Sequence, residues 1–397
     1  MMTEKWDEKV LELAKNLIRC QSYSGEENLT VQELKSYMDK TGVYDDVTID
    51  KYGNIVGHIK GNRPGTKILF DGHVDTVPVG NPEDWKHDPF GACVEDDKLY
   101  GRGASDMKGA VAAFTVAGER FAKETGKNFA GDIYIAGVVH EECFEGVAAR
   151  NISAEVNPDV VVIGEASELN LKIGQRGRAE IVVETFGVPA HSANPEKGVN
   201  AVYQICKAIQ EIREIEPPVH EILGKGILEL TDIKSAPYPG ASVVPEYCKA
   251  TYDRRLLVGE TRESVMEPIV EKLMQMQKED ATFQFRVAYA EGEERCYTGN
   301  TITGQRFFPG WLFDEKEDFI QKIVDELHKN GFLPEITTYN FCTNGSHYAG
   351  EKGIPTIGMG PGRENLAHII DEYVPVSDLF AVSRCYVGIM KALLPTL

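Results

Sequence analysis

Three short apolar runs, each ending in a histidine or a carboxylate, constrain the fold of this chain most strongly. They are KILFDGHVD (residues 67–75), DIYIAGVVH (132–140) and DVVVIGEA (159–166). Continuous apolar runs of this length are typical of strands covered on both faces, as in the parallel sheets of α/β proteins. Because ligands of such sheets bind at the carboxyl ends of the strands, we expect the polar residues that end these runs to meet in one crevice.

Helical periodicity accompanies these runs and supports an α/β class. Strands that alternate with amphipathic helices are typical of layered α/β domains. The spacing of apolar residues predicts helices over residues 6–18, 29–40, 201–215, 262–278, 316–329 and 381–394.

The middle of the chain has a different pattern. The segments AEIVVETFG (179–187), CKATYDRRL (248–256) and FQFRVAYA (283–290) alternate polar and apolar residues, as half-exposed antiparallel strands do. We therefore predict a separate domain at 173–295, inserted into an α/β domain that is formed by 1–172 and 296–397.

The charge composition of the chain argues against nucleic acid and membranes as binding partners. The chain has 42 Lys and Arg against 62 Asp and Glu, a formal net charge of −20. This excess would repel nucleic acid and anionic membranes. The sequence contains no apolar run long enough to span a bilayer, and its charged N-terminal segment lacks the apolar core of a secretory signal. We expect a cytoplasmic protein without nucleic-acid or membrane partners.

The motif GHVD places an imidazole and a carboxylate two positions apart. In an extended chain His73 and Asp75 point to the same face. A carboxylate beside an imidazole orients it for binding a metal or moving a proton. The alternative is a hydrogen-bonded polar pair at a strand end with no further role.

Several carboxylates are expected at the same edge of the sheet. Carboxylates that lie so near to one another cannot all stay ionised without a counter-charge. Two divalent cations would neutralise most of their charge. Two histidines, His73 and His368, could complete the coordination of those cations. The carboxylates are those of Asp75, Asp106, Glu141, Glu142 and Glu165.

In this order, a set of motifs between about residues 70 and 376 resembles a known family. The motifs are GHVDTVP, GRGASDMKG, HEE, GEAS, GVPAHSANPEKGVNAV, DRR and AHIIDEYVPV. They are similar to those of the dinuclear-zinc peptidases and amidohydrolases that include glutamate carboxypeptidase, succinyl-diaminopimelate desuccinylase, acetylornithine deacetylase and aminoacylase. The resemblance implies a catalytic domain with a twisted mixed sheet flanked by helices, and an inserted α+β, ferredoxin-like domain that serves as lid and dimerisation domain.

The same resemblance implies a ligand set for two Zn²⁺ ions per subunit, with Co²⁺ or Mn²⁺ as possible substitutes. One ion would be bound by His73 and Glu165, and the other by Glu142 and His368. Asp106 would bridge both ions.

It also implies roles in catalysis. A hydroxide that bridges the metals would be the nucleophile, with Glu141 as the general base and Asp75 orienting His73. His191 of the lid would reach the active site of the partner subunit in a homodimer. The residues expected to contact the substrate are Arg255, Asn344, Gly345 and Gly362.

The predicted activity is hydrolysis of an amide bond in a dipeptide or an N-acyl amino acid that carries a free carboxylate. Two departures from the family leave the substrate open. Ser242 stands where relatives often have Asn, and the segment TNGSH (343–347) lacks an Asp that they often carry. An amino-acid deacetylase or desuccinylase therefore competes with a peptidase. A catalytically silent binding protein is the alternative from another class.

Overall fold

The computed structural model describes residues 2–396, which divide into two compact units. The first unit joins the residues up to Gln175 with Glu293–Thr303 and the residues from Leu312 onward. The second unit consists of Arg176–Gly292 and Gly304–Trp311. The predicted boundaries lie within a few residues of this division, but the predicted insertion did not include Gly304–Trp311.

The helices cover all six segments that the periodicity predicts and two more. They are α1 (Met2–Arg19), α2 (Asn28–Thr41), α3 (Gly109–Thr125), α4 (Ala149–Val156), α5 (Ala201–Arg213), α6 (Arg262–Glu279), α7 (Asp318–Lys329) and α8 (Val376–Leu393).

The strands include every run named above and several that lack a clear pattern. In chain order they are β1 (Asp46–Ile49), β2 (Ile55–Lys60), β3 (Arg63–His73), β4 (Cys93–Glu95), β5 (Lys98–Tyr100), β6 (Ala130–Val138), β7 (Val160–Ile163), β8 (Leu171–Gln175), β9 (Gly177–Phe186), β10 (Val219–His220), β11 (Gly224–Lys225), β12 (Ile227–Ala236), β13 (Tyr247–Leu256), β14 (Gln284–Tyr289), β15 (Glu291–Arg295), β16 (Thr301–Gln305), β17 (Phe307–Phe308), β18 (Trp311–Leu312), β19 (Ile336–Tyr339), β20 (Thr356–Gly358) and β21 (Tyr373–Pro375).

The first unit contains a mixed sheet with neighbouring strands in the order β1-β2-β6-β3-β7-β20-β8. β3 runs parallel to both β6 and β7, and β20 runs parallel to β7, whereas β1 and β2 pair antiparallel at one side. The carboxyl ends of the parallel strands therefore lie at one edge, as the apolar runs predicted.

Burial explains why α3 was not delimited by periodicity. Its residues from Gly109 to Glu119 are all buried, so it has no polar stripe to reveal a helical repeat. A helix that is apolar on all sides belongs in a core. α3 packs against α1, α8 and the sheet, and its first residue follows the turn that carries Asp106.

The second unit has the chain order β9-α5-β12-β13-α6-β14 and the antiparallel sheet order β12-β13-β9-β14. This connectivity is ferredoxin-like. The helices cover one face, where Ile181, Ala250 and Tyr252 of the strands pack with Ile205 and Leu273 of the helices. The other face carries charged side chains, which accounts for the alternating pattern of its strands.

Candidate metal centre

Three parallel strands deliver the predicted site residues to one edge of the first unit. His73 is the last residue of β3, Glu141 and Glu142 follow β6, and Glu165 follows β7. The Nε2 atom of His73 lies 3.5 Å from Oε1 of Glu165. Ligand atoms of His73, Glu141 and Glu165 all lie within 4.8 Å of one another. Because the strands are neighbours in the sheet, residues that are distant in sequence lie in one cluster.

The carboxylate of Asp106 lies between two imidazoles. Its Oδ1 is 2.8 Å from Nε2 of His73, and its Oδ2 is 3.1 Å from Nε2 of His368. The same Nε2 of His368 is 3.0 Å from Oε2 of Glu142. The five predicted ligands are therefore brought together, and Asp106 occupies the central position that a bridging ligand requires.

Burial and mutual charge set the pKa values of this cluster. Burial and the nearby charge of Asp106 raise the pKa of Glu165 to about 8 and that of Glu142 to about 7. Hydrogen bonds to Asp106 and Glu142 raise the pKa of His368 to about 10. Burial disfavours the His73 cation, but the hydrogen bond and charge of Asp106 outweigh it and raise the pKa of His73. The raised pKa values mean that these carboxyl and imidazole groups hold their protons tightly. The protons reduce the repulsion between the clustered carboxylates.

This donor set fits divalent metal ions. Imidazole nitrogens and carboxylate oxygens are the ligands that zinc, cobalt and manganese share, and metal binding displaces protons from such groups. The Nε2 atoms of His73 and His368, which contact the carboxylates here, are the atoms that would bind the ions. Nδ1 of His73 faces the main-chain oxygen of Asp75 at 2.9 Å, which fixes the tautomer that leaves Nε2 for a metal.

Asp75 acts on more of the site than the sequence suggested. Its carboxylate is 3.7 Å from Nδ1 of His73, beyond hydrogen-bonding distance. The carboxylate instead accepts hydrogen bonds from the backbone N–H groups of Glu141 at 3.1 Å and Glu142 at 3.2 Å, and from the Ser24 hydroxyl at 2.7 Å. Asp75 therefore orients the imidazole through its main chain, and the Glu141–Glu142 turn through its side chain.

Glu372 supports the site in a way that sequence reasoning missed. It is fully buried, and its carboxylate accepts hydrogen bonds from the backbone N–H groups of Gly103, Ser105 and Asp106 and from the Arg102 guanidinium. It thereby fixes the turn that carries Asp106. An acidic residue just before the short strand β21 gives no periodic signal that would have indicated this role.

Three residues predicted to contact the substrate make hydrogen bonds within the first unit. The amide of Asn344 bonds to Asp71 and Gly146, and only 2% of this residue is exposed. The N–H of Gly345 donates to the Thr343 hydroxyl at 3.0 Å, and the main-chain oxygen of Gly362 accepts from the N–H of Glu168 at 2.8 Å. These contacts lie within the first unit, and contact of the three residues with a substrate stays a prediction.

The other two residues of interest lie in the second unit. Nε of Arg255 donates to Oδ1 of Asp253 at 2.7 Å, and Nε of Arg178 donates to the other carboxylate oxygen at 2.9 Å. Arg254 lies on the opposite face, buried and paired with Glu260, so the two adjacent arginines do alternate. His191 is exposed, and its Nδ1 accepts a hydrogen bond from the N–H of Ala193 at 3.0 Å.

An acidic cluster with two histidines at the carboxyl edge of an α/β sheet defines a protein of the metallohydrolase class. The model of peptidase family M20/M25/M40 matches residues 69–392, and the chain belongs to this family. The predicted family and the prediction of an enzyme that hydrolyses amide bonds are thus confirmed.

Two curated relatives align over nearly the whole chain. The uncharacterized protein YgeY of Escherichia coli K12 is 32% identical over 387 residues, which cover 96% of this chain and 94% of YgeY. Succinyl-diaminopimelate desuccinylase 2 of Ruegeria is 28% identical over 396 residues, which cover 96% of this chain and 94% of that enzyme.

Solved structures of low sequence identity share the fold. Aminopeptidase PepT of Bacillus cereus has a TM-score of 0.75 at 20% identity, and the match covers 98% of both chains. The YXEP protein of Bacillus subtilis, described as a dinuclear metal-binding peptidase of family M20, has a TM-score of 0.70 at 11% identity, again over 98% of both chains. These matches confirm the predicted mixed α/β fold. Within residues 2–396, every helix is too short or too polar to cross a membrane.

Proposed function

We propose that this protein hydrolyses an amide bond in a dipeptide or an N-acyl amino acid with a free carboxylate, assisted by two divalent metal ions. The position of the Asp106 carboxylate between the Nε2 atoms of His73 and His368 is the observation that supports this proposal best. Glu142 and Glu165 lie beside the two imidazoles, so each would complete one half of a paired site.

In this proposal His73 and Glu165 hold one ion, Glu142 and His368 hold the other, and Asp106 contacts both. Zinc is the favoured metal for such a donor set, and cobalt or manganese would also fit. When bound, such ions polarise a carbonyl and make water acidic enough to supply a nucleophile at neutral pH.

Glu141 is proposed as the general base. Its oxygens lie within reach of His73 and Glu165, so a ligand role has to be weighed against it. We favour Glu142 as the ligand because both of its oxygens lie within 3.3 Å of Nε2 of His368. Glu141 is 6% exposed, and burial raises its pKa well above the usual value, which suits a group that accepts a proton from water and returns it to the leaving nitrogen.

Substrate binding and assembly are proposed from the second unit. Arg255 would bind the substrate carboxylate, since a guanidinium can make two parallel hydrogen bonds to it. The exposed edge strand β12, with Ile227 and Ile233 at 40% and 47% exposure, would pair with a second copy of the chain. In the resulting homodimer, His191 would donate a hydrogen bond to the developing oxyanion in the partner's site.

The sequence likeness to a desuccinylase favours an N-acyl amino acid, whereas the likeness to individual peptidases such as PepT rests on fold. The test is a substrate panel on protein stripped with a chelator and reloaded with Zn²⁺, Co²⁺ or Mn²⁺. Free amino acids released from dipeptides would indicate a peptidase, and acetate or succinate released from N-acyl amino acids would indicate a deacylase. Stoichiometric metal binding with no turnover on any of these substrates would instead support a silent binding protein.

A further inference from the structure

One buried amide joins the strand that carries His73 to the turn that carries Glu141 and Glu142. We propose that Asn344 is a positioning residue, which clamps the Gly146 end of this turn onto Asp71 of β3 and so sets the general base relative to the metal ligands. The proposal rests on the function proposed above, and it assigns a role to Asn344 and Asp71 that does not involve substrate contact.

The clamp consists of two hydrogen bonds made by one side chain. Nδ2 of Asn344 donates to Oδ1 of Asp71 at 2.9 Å, and Oδ1 of Asn344 accepts from the N–H of Gly146 at 2.8 Å. Asp71 is 1% exposed and Asn344 is 2% exposed. Since buried polar groups are costly unless they are satisfied, both partners are held firmly in place.

The segment around Asn344 is itself anchored at two further points. The hydroxyl of Tyr348 donates to Oδ2 of Asp71 at 2.8 Å, so this segment satisfies both oxygens of the buried carboxylate. Nδ1 of His347 lies 2.7 Å from Oε2 of Glu351, and the Arg150 guanidinium donates to both oxygens of Glu351. Because Arg150 belongs to α4, which follows the turn, the segment contacts the turn and the element beyond it.

The turn from Glu141 to Gly146 is therefore fixed at both ends by aspartates close to His73 in the chain. Asp75 accepts hydrogen bonds from its first two N–H groups, and Asp71 holds its far end through Asn344. Gly146 has φ +81°, and a Cβ there would lie 3.0 Å from Cβ of His347, so only glycine allows this approach. Both sets of hydrogen bonds hold the turn against the strand that ends in His73. They would therefore keep the distance between Glu141, the proposed base, and His73, a proposed ligand, fixed.

The test is a pair of side-chain exchanges. Asn344→Asp keeps an acceptor for the Gly146 N–H but sets a second carboxylate against Asp71, and we expect kcat to fall on the order of 10–100-fold, as for other residues that orient metal-site groups. The double variant Asp71→Asn with Asn344→Asp restores every contact, because the new amide donates to the new carboxylate and accepts from Tyr348. We expect its kcat to return to within about threefold of the original enzyme, on the same outer-ligand scale.

Gln175→Met provides the matched control. Gln175 is fully buried and bonds to the residue before Asn344, through the hydroxyl and carbonyl of Thr343. It should lower the melting temperature as much as Asn344→Asp does while kcat is kept. If Asn344→Asp does not fold, Asn344→Thr removes the amide without adding a charge.

A second readout separates this inference from the proposed function. Amide hydrogen exchange of the peptide spanning residues 141–148, measured on metal-free protein, should accelerate in Asn344→Asp, stay unchanged in Gln175→Met, and slow again in the double variant. Loss of kcat in proportion to melting temperature in all variants, or no recovery in the double variant, would overturn the positioning role. Absence of any hydrolysis by the unmodified enzyme would overturn the proposed function, and the exchange rates would still decide the role of Asn344.

Discussion

The sheet edge of the first unit and the open face of the second unit pair their acidic side chains with different cations. At the sheet edge of the first unit, the largely buried carboxylates of Asp106 and Glu142 are paired with the imidazoles of His73 and His368. On the open face of the second unit, carboxylates are paired with arginines, as Glu184 is with Arg286 and Asp253 with Arg255. A guanidinium keeps its charge at every physiological pH, whereas an imidazole exchanges its proton for a metal.

The pKa values follow this difference. The hydrogen bond from Arg286 lowers the pKa of Glu184, whereas burial raises that of Glu165 to about 8. Ion pairs of this kind on the open face of the second unit therefore keep their charges at neutral pH, and they suit binding of a charged substrate or a partner surface. The cluster at the sheet edge of the first unit can exchange its protons for metal ions, and it therefore suits catalysis.

The sharpest way to break this comparison is to remove the proposed base. Glu141→Gln keeps the shape of the side chain but cannot accept a proton, so kcat should fall on the order of 10²–10⁴-fold. Metal content, measured by atomic emission, should stay at the level of the unmodified enzyme. A variant that loses metal together with activity would make Glu141 a ligand, and a fully active variant would remove it from the mechanism.

His191 tests whether the second unit contributes to the chemical step. If it donates a hydrogen bond to the oxyanion, His191→Ala should lower kcat on the order of 10²–10³-fold without changing the oligomeric state, as measured by analytical ultracentrifugation. His220, a half-buried histidine at the end of β10 in the same unit, has an Nδ1 that likewise accepts backbone hydrogen bonds. The control His220→Ala should leave kcat unaffected. Equal kcat in the two variants would confine the chemistry to the first unit.

Arg255 should affect binding more than chemistry. Arg255→Ala removes a two-bond contact with the substrate carboxylate, so KM should rise by roughly tenfold or more while kcat changes less. Arg286→Ala breaks another ion pair of the same sheet, between the exposed Arg286 guanidinium and the buried Glu184 carboxylate, and should alter neither constant by more than about twofold. A fall in kcat with unchanged KM for Arg255→Ala would contradict a role in substrate binding.

The clustering of His73 with the carboxylates that follow β6 and β7 could be predicted, because the apolar runs that form neighbouring strands are visible in the sequence. The residues after three continuous apolar runs had to meet once those runs formed neighbouring parallel strands, and the structure brings His73, Glu141 and Glu165 together in this way. The inserted unit could be delimited because its alternating pattern differs from those runs. The short segment Gly304–Trp311, which returns to it, carries no such pattern.

The supporting contacts could not be predicted, because they join residues that no local pattern relates. Asp71 and Asn344 are 273 positions apart, and Glu372 reaches the turn of Asp106 across 266 positions. The prediction of Asn344, Gly345 and Gly362 as substrate contacts came from two segments, FCTNGSHYAG (341–350) and GMGPGRE (358–364), which were expected to line the pocket or to offer backbone N–H groups. Their engagement inside the first unit shows that such a segment can be a rigid support as easily as a binding loop.

The smallest effect concerns the pH dependence of the metal-free protein. The folded-state pKa values of Glu142 and Glu165, about 7 and 8, lie above the ordinary value of 4.5, and that of His368, about 10, lies above 6.5. Groups whose pKa is raised by folding add stability below their unfolded pKa and lose it as pH rises through the folded value. The melting temperature of the metal-free protein should therefore fall as pH is raised from 6 to 9.

Two variants sharpen this last prediction by setting the units against each other. Glu165→Gln mimics the protonated carboxyl at every pH, so it should flatten part of the decline between pH 6 and 9. Glu184→Gln should leave the decline unchanged, because the lowered pKa of Glu184 means that its contribution is lost only in acid, as pH falls through the folded-state value. Zn²⁺ should reduce the decline in the unmodified protein, because metal binding takes the place of the protons that the cluster loses. The melting temperature could decline equally with and without Zn²⁺, and equally in Glu165→Gln. In that case the carboxylate cluster of the first unit does not cause the decline. The contrast between this cluster and the charged face of the second unit would then no longer hold.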